Sequence, residues 1–267
     1  MTAADVDRFW RDGFFFPIPA LTTAEANRYR SDLAAAEALH GDAVDPFLRS
    51  KPHLVFTWAS ELVHHPGILD AVELVLGPDI LCWGSSFFNK APRDHAYVSW
   101  HQDAAYWGLD PPDVVTAWIA LSDVSRCSGP LRFVPGSHRL AQLAHHDTDD
   151  RDNLLSQGQV ADLAIDPGSV VEAPLGAGEM SLHHVRLVHG SGPNESDQRR
   201  IGLAIRYLAP HVRQLHGRDF ATIARGEDRY GHFVAEPRPR ANLDAAGRAA
   251  HAASRSAKKE RRRPMSA

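Results

Sequence analysis

A histidine and an aspartate lie two positions apart in the stretch "SWHQDAAYW", at His101 and Asp103. In a β-strand the side chains at i and i+2 leave the same face of the sheet, so these two groups can contact one ion. A second stretch, "HHVRLVHGSGPN", carries His189, which we predict to close an apolar strand over residues 185–188. Two histidines and one carboxylate on one side of a metal leave the opposite positions open, which is typical of non-haem Fe(II).

An arginine follows His189 after a segment long enough for a turn, so the chain can return there as a neighbouring strand. Arg200 stands at the start of the run "RIGLAIRYLA", and a turn of this length is expected to bring it back near the metal end of the sheet. A guanidinium is a rigid fork that pairs bidentately with a carboxylate, as a carboxylate co-substrate of an iron site would require. Taken alone, Arg200 beside Arg199 is better explained as a surface cation on an edge strand.

The elements that must position these residues begin with helices. The stretch "TAADVDRFWRDG" predicts a helix that ends at Gly13. Thr22 and Glu25 have the spacing of a capping box and open a second helix, and "PGILDAVELVLG" predicts another. From Ile80 onward, short β-like runs alternate with Pro and Gly turn signals. This order predicts a mainly β fold, an antiparallel sandwich or barrel with flanking helices.

Two segments interrupt this pattern. Residues 140–165 are polar and acidic, which predicts a long insertion or lid between strands. Residues 236–267 become Pro/Arg-rich and then Ala/Ser-rich, which predicts a flexible basic tail, with a helix within "NLDAAGRAAHAAS" as the alternative. We therefore expect a single domain over residues 1–235 and a tail over 236–267.

The composition limits the classes of function. The 267 residues are 43% hydrophobic and carry a formal net charge of −4, so the chain can bury a sizeable core and does not resemble a nucleic-acid-binding protein. Its two cysteines have no paired spacing, which favours a reducing, cytoplasmic location. No stretch has the length of a membrane span or the form of a signal peptide. We expect a small-molecule substrate, no nucleic acid and no membrane partner; oligomeric state has no signature here.

The order and spacing of several motifs resemble one known family. The H-x-D pair, "TAWIAL", "GPLRFVPGSH" and "HHVRLVHGSGPN" followed by a pair of arginines resemble the phytanoyl-CoA dioxygenase family of Fe(II)/2-oxoglutarate oxygenases. The similarity extends over roughly residues 5–215, because "FWRDGFFFPIPAL" near the N-terminus also fits. It implies a double-stranded β-helix, that is, a jelly-roll (cupin-like) barrel with helices on one side. It also implies Fe(II), 2-oxoglutarate as co-substrate, and O₂.

The resemblance assigns roles position by position. His101, Asp103 and His189 take the places of the metal ligands and are the implied catalytic centre. Arg200 takes the place of the arginine that binds the distal carboxylate of 2-oxoglutarate, and Ser191 that of the hydroxyl which supports it.

Three further assignments follow from the same comparison. Trp118, in "TAWIAL", falls where the family often has a tryptophan beside the co-substrate. The family's lysine contact to 2-oxoglutarate corresponds better to Lys51 than to Lys90. Halogenating relatives lack the carboxylate ligand, so Asp103 favours hydroxylation or another oxidative outcome.

The function implied is hydroxylation of a C–H bond in a small polar metabolite or natural-product intermediate, with release of succinate and CO₂. Desaturation, epoxidation or cyclisation at the same site are alternatives, as is a non-catalytic barrel that binds metal or 2-oxoglutarate. A hydrolase using Ser137 or Ser191 ranks last, because neither serine lies in a G-x-S-x-G elbow. Tyr106 and Trp107 are candidates for the substrate side of the site. The roles of His183 and His184 stay open between site contact and packing.

Overall fold

The structure, a computed structural model, describes residues 1–155 and 158–261. Within these ranges it is mainly β-sheet with flanking helices. The α-helices are α1 Ala3–Asp12, α2 Thr23–His40, α3 Asp45–Leu48, α4 Thr57–Val63, α5 Pro66–Leu76, α6 Ala104–Trp107 and α7 Ala245–Arg261. No helix within the described ranges is both long enough and apolar enough to cross a membrane.

The strands are short, as the frequent turn signals predict. In chain order they are β1 Phe14–Pro19, β2 Ile80–Phe87, β3 Val98–His101, β4 Leu109–Asp110, β5 Val114–Ala120, β6 Leu131–Phe133, β7 His145–His146, β8 Val160–Ala161, β9 Val171–Ala173, β10 Glu179–His184, β11 His189–Ser191, β12 Gly202–Leu208, β13 Arg213–Gln214, β14 Phe220–Arg225 and β15 Val234–Ala235.

The chain divides into two compact units. The first comprises residues 1–30, 88–107 and 115–204. In it β1 pairs with β10, and β10 with β5, all antiparallel. A four-stranded antiparallel sheet has the order β3-β11-β6-β9, and β7 pairs with β8. An apolar cluster that includes Phe14, Trp118, Phe133 and Leu187 forms its core.

The second unit comprises residues 31–87, 108–114 and the chain from residue 205. Strand β2 pairs antiparallel with β14, β14 pairs in parallel with β15, and β13 pairs with β4. A buried ion pair joins Lys51 Nζ to Glu236 Oε1 at 2.6 Å, and His53 Nδ1 lies 2.6 Å from Ser85 Oγ. The expectation of one domain over residues 1–235 stays a prediction.

Local sequence signals explain the early helices. Thr2 and Asp5 form a capping box at the start of α1, and Gly13 caps its end in the left-handed conformation. Glu25 Oε2 accepts from the backbone N–H of Thr22, and the Thr22 hydroxyl accepts from the N–H of Glu25. Helix α5 begins at Pro66, where the missing N–H carries no cost. These elements match the sequence predictions closely.

The run "EMSLHHVRLVHG" differs from its sequence prediction. We expected His189 to close an apolar strand, but β10 ends at His184 and His189 begins the separate strand β11. The N–H of Leu187 donates to the carbonyl of His184, which makes a turn between the two strands. The chain thereby passes from the sheet containing β1 and β5 to the one containing β3 and β6. An apolar segment that crosses between two sheets has the same composition as one continuous buried strand, so the sequence alone does not distinguish them.

The tail also differs from its prediction over the residues that are described. Helix α7 occupies residues 245–261, with Gly247, His251 and Ser254 buried. A Cβ on Gly247 would lie 2.2 Å from the carbonyl oxygen of Leu54, so only glycine permits this close approach of the helix. His251 Nε2 lies 2.8 Å from the carbonyl oxygen of Ser50. The helix is therefore docked, which corrects the expectation of a flexible tail; residues 262–267 lie outside the described part.

Residues 140–165 contain the short hairpin of β7 and β8. The carbonyl of Asp152 accepts from the N–H of Tyr97 at 2.9 Å, and the Ser99 hydroxyl donates to the carbonyl of Gln159. These bonds hold the segment against the strand that ends at His101. Its role as a lid stays a prediction.

Candidate active site

The two histidines of the predicted metal site lie opposite each other. His189, the first residue of β11, is the register partner of His101, the last residue of β3. Their ring centroids are 4.2 Å apart, and the side chains are 4% and 5% exposed for His101 and His189 respectively. Antiparallel pairing of two short strands thus brings together residues far apart in sequence.

Both rings are oriented by the backbone. His101 Nδ1 lies 2.9 Å from the carbonyl oxygen of Ser99, and His189 Nδ1 lies 2.9 Å from that of Leu187. A carbonyl oxygen only accepts, so each Nδ1 must carry its hydrogen. Each Nε2 then keeps its lone pair, which is the form of histidine that ligates a metal.

A carboxylate completes the group. Asp103 lies two residues after the end of β3, its Oδ1 is 3.4 Å from His101 Nε2, and its side chain is 13% exposed. One ligand atom from each of His101, Asp103 and His189 lies within 4.8 Å of the others. Two neutral imidazoles and one carboxylate within this radius suit a divalent ion and leave its far side to other ligands.

Two polar residues that the sequence analysis passed over support this group. The Thr116 hydroxyl donates to Asp103 Oδ2 at 3.3 Å. Gln102, fully buried between the two ligand candidates, accepts from the N–H of Leu143 at 2.9 Å and donates to the carbonyl of Arg186 at 2.8 Å. Thr116 belongs to the motif "TAWIAL", which the sequence analysis identified, but the sequence does not predict its hydrogen bond to Asp103.

A buried arginine lies nearby in the same unit. Arg200 is 1% exposed, and its guanidinium donates to the backbone carbonyls of Gly129 and Phe88. Its Nε has no hydrogen-bond partner. Burial lowers its pKa to about 10. A cation that is buried with only neutral partners is costly, so this position fits an anionic ligand.

A second basic side chain, that of Lys90, lies beside Arg200. Lys90 is completely buried, and its ammonium donates to the Ser191 hydroxyl at 2.8 Å and to the carbonyl of Gly192. Burial and the neighbouring Arg200 lower the pKa of Lys90 to about 6. Of the two lysines considered, the structure places Lys90 beside Ser191. Lys51 belongs to the second unit, where Glu236 is its ion-pair partner.

Trp118 lies against the arginine. The Arg200 guanidinium is 5.2 Å from the centroid of the Trp118 ring, which is 3% exposed. A Cβ on Gly202 would come within 1.9 Å of Trp118 Cζ2, so the glycine creates the space that the indole occupies. The predicted co-substrate residues therefore lie together. Lys90 contacts Ser191 and pairs with the backbone of Arg200, and Gly202 leaves the space in which Trp118 packs against Arg200.

His183 and His184, the last two residues of β10, have different neighbours. The His183 ring is 4.5 Å from that of His189, whereas the His184 ring packs 5.4 Å from His138. Of the neighbouring histidines, His183 is thus the one beside the metal-ligand candidates. Tyr106 follows Asp103 in α6 and packs edge-on against His145 at 5.3 Å, and burial raises its pKa to about 12.

Comparison with known proteins points to one family. The profile of the phytanoyl-CoA dioxygenase (PhyH) family matches residues 9–202. A probable alpha-ketoglutarate-dependent hypophosphite dioxygenase of Stutzerimonas stutzeri is 35% identical over 170 residues. That alignment covers 62% of this chain and 58% of the relative. The chain thus spans less than two-thirds of the length of this relative.

Solved structures match over a larger share of this chain than that relative does. The non-haem monooxygenase ThoJ, without ligand, is 36% identical with a TM-score of 0.85, and 96% of each chain is covered. The same protein in complex with Ni is 35% identical with a TM-score of 0.80, over 96% of this chain and 97% of that one.

Proposed function

The chain belongs to the phytanoyl-CoA dioxygenase family, and on that premise we propose that it is an Fe(II)- and 2-oxoglutarate-dependent dioxygenase. The observation that carries the proposal is the grouping of His101, Asp103 and His189 within 4.8 Å. The buried cations Arg200 and Lys90 lie in the same unit and supply what a dicarboxylate co-substrate needs.

The chain's own residues would hold the metal. His101 and His189 would bind Fe(II) through Nε2, since their Nδ1–H groups are fixed on backbone carbonyls. Asp103 supplies the third ligand, and the hydroxyl of Thr116 holds its second oxygen. When bound, Fe(II) and 2-oxoglutarate supply the oxidising chemistry, in which O₂ is consumed and succinate and CO₂ are released.

The far end of the co-substrate is bound by Arg200, with Ser191 and Lys90 beside it. Ser191 lies two residues beyond His189 on β11, so the two side chains leave the same face roughly 7 Å apart. A five-carbon dicarboxylate can span such a separation. Its distal carboxylate would give Arg200 the anionic partner that the carbonyls of Gly129 and Phe88 do not provide.

The fold and the reaction outcome belong to the same proposal. We infer a jelly-roll barrel of the double-stranded β-helix type in a cytoplasmic enzyme. Asp103 fills the position that halogenation would need open, so we favour hydroxylation of a small polar or anionic metabolite, with desaturation, epoxidation or cyclisation as alternatives. Tyr106, which is 37% exposed, is the aromatic side chain proposed to face the substrate.

A co-substrate turnover assay tests the proposal. Purified protein loaded with Fe(II) is given 2-oxoglutarate, O₂ and a panel of small metabolites, and succinate is measured. We expect at least one metabolite to raise succinate formation, and Asp103→Ala to reduce it close to background. His146→Ala, which changes an exposed histidine in the same unit, is the matched control. Binding of metal and 2-oxoglutarate without O₂ consumption would instead identify a non-catalytic barrel.

A further inference from the structure

A cleft lies on the face of the sheet opposite to the side chains of His101 and His189. It has a volume of about 650 Å³, and Trp100, Arg132 and Glu172 are among the residues that line it. Side chains alternate along a strand. Leu131 and Phe133 of β6 enter the core, so Arg132 between them points to the opposite face.

Arg132 lines this cleft, and no described residue accepts a hydrogen bond from its guanidinium. Its guanidinium lies 5.0 Å from the centroid of the Trp100 ring. Within the described ranges it makes no hydrogen bond, and its Nε is buried without a partner. A cation–π contact fixes the plane of the guanidinium but satisfies none of its five N–H donors. Of these donors the Nε–H is the buried one, and a desolvated donor without an acceptor is costly, so the arrangement favours a ligand that accepts from it.

The carboxylate that lines the cleft, that of Glu172, is already paired with another arginine. Glu172 of β9 is the register partner of Arg132, yet its Oε2 accepts from Arg126 at 3.0 Å. Arg126 and Glu172 neutralise each other, and the cleft keeps one positive charge, that of Arg132. One charge matches a monoanion. A phosphate dianion would be only half compensated and would face the Glu172 carboxylate.

The rest of the wall is apolar. Ile165, Pro167 and Val170 line the cleft beside the charged residues. We propose that this cleft binds a small organic carboxylate, with the carboxyl group on Arg132 and the apolar body against these three residues. The site is separate from the proposed iron centre, because Trp100 and Arg132 leave the face of their strands opposite to His101 and Phe133.

Benzoate is the probe that tests the proposal, by calorimetric titration of the full chain. We expect saturable binding at one site, weakened about tenfold or more by Arg132→Gln, since a charge-assisted bidentate pair is lost. Arg132→Lys, which keeps the charge but not the fork, should fall between the two. Arg151→Gln changes an exposed arginine of the same unit and should leave the affinity unchanged.

A variant expected to bind more tightly is a useful second test, because misfolding can lower the affinity for benzoate but cannot raise it. Glu172→Gln removes the carboxylate and frees Arg126, so benzoate should bind several-fold more tightly than to the unmodified chain, on which inorganic phosphate should be the weaker ligand. Absence of saturable binding to the unmodified chain would overturn the proposal. So would binding that persists in Arg132→Gln but disappears in Arg200→Gln, because benzoate would then occupy the buried Arg200 site.

Discussion

Lys90 and Arg200 lie side by side on neighbouring backbone segments, and each donates its backbone N–H to the other's carbonyl at 2.9 Å. Both side chains are buried, at 0% and 1% exposure for Lys90 and Arg200 respectively. Neither has a carboxylate at ion-pair distance within residues 1–155 and 158–261. A buried guanidinium without an anion is costly, and burial beside it lowers the pKa of Lys90 to about 6, so both groups can be charged together only when an anion joins them. The pair therefore carries the clearest physical requirement for the co-substrate.

Removing the guanidinium should affect co-substrate binding above all. Arg200→Gln is expected to raise the KM for 2-oxoglutarate by about tenfold or more, because the charge-assisted pair to the distal carboxylate is lost. The kcat at saturating 2-oxoglutarate should fall much less. Steady-state succinate formation at varied 2-oxoglutarate measures both, with Arg151→Gln as the control. An unchanged KM would remove Arg200 from the binding site.

The low pKa of Lys90 gives 2-oxoglutarate binding a pH dependence. With a pKa of about 6, Lys90 is neutral at pH 7.5 in the free protein, and the bound dicarboxylate favours its charged form. Binding should take up a proton, and affinity should decline as the pH rises above about 6. Calorimetry in buffers of different ionisation enthalpy measures this uptake. Lys90→Met should abolish it, and proton-free binding by the unmodified protein would contradict the assignment.

The same lysine should make stability depend on pH. Unfolding restores the ordinary pKa of 10.5, so between pH 6 and 10.5 the unfolded chain holds one more proton than the folded chain. The free energy of unfolding contributed by this group is therefore smallest below pH 6 and rises with pH across that window. Urea denaturation of Lys90→Met should show a flatter pH profile. Identical slopes for both proteins would contradict the lowered pKa.

The space around Trp118 should be intolerant of one methyl group. Gly202→Ala places a Cβ that would lie 1.9 Å from Trp118 Cζ2, so the indole must move and Arg200 loses its ring contact. We expect a loss of about 1–3 kcal/mol in the free energy of unfolding. Trp118→Phe should recover part of it in the double variant, because the smaller ring leaves room. Additive losses would indicate that the two residues do not contact each other.

Much of the candidate site was predictable because its signals are local. The H-x-D spacing places His101 and Asp103 together, and the resemblance adds His189 and Arg200 without any knowledge of the fold. The choice between Lys51 and Lys90 was not predictable, because it depends on which backbone segment pairs with residue 200. Likewise, α7 docks through a hydrogen bond to the carbonyl of Ser50 and a close approach to that of Leu54, about two hundred residues away in the sequence.

The break between β10 and β11 was hidden for a different reason. Val185, Leu187 and Val188 are apolar and buried, and apolar residues are buried in a turn between sheets as readily as in a strand. The roles of Thr116 and Gln102 also depend on partners from other strands and loops. Composition and periodicity report burial, whereas pairing partners are a property of the folded chain.

The central claim is that His101, Asp103 and His189 together bind Fe(II) in a form that then binds 2-oxoglutarate. Anaerobic addition of 2-oxoglutarate to the Fe(II)-loaded protein, followed by visible absorption, tests this most directly. We predict a charge-transfer band that saturates at one equivalent of iron, is lost in His189→Ala, and is kept in His146→Ala. A band of equal intensity in His189→Ala, or no band in the unmodified protein, would contradict the claim.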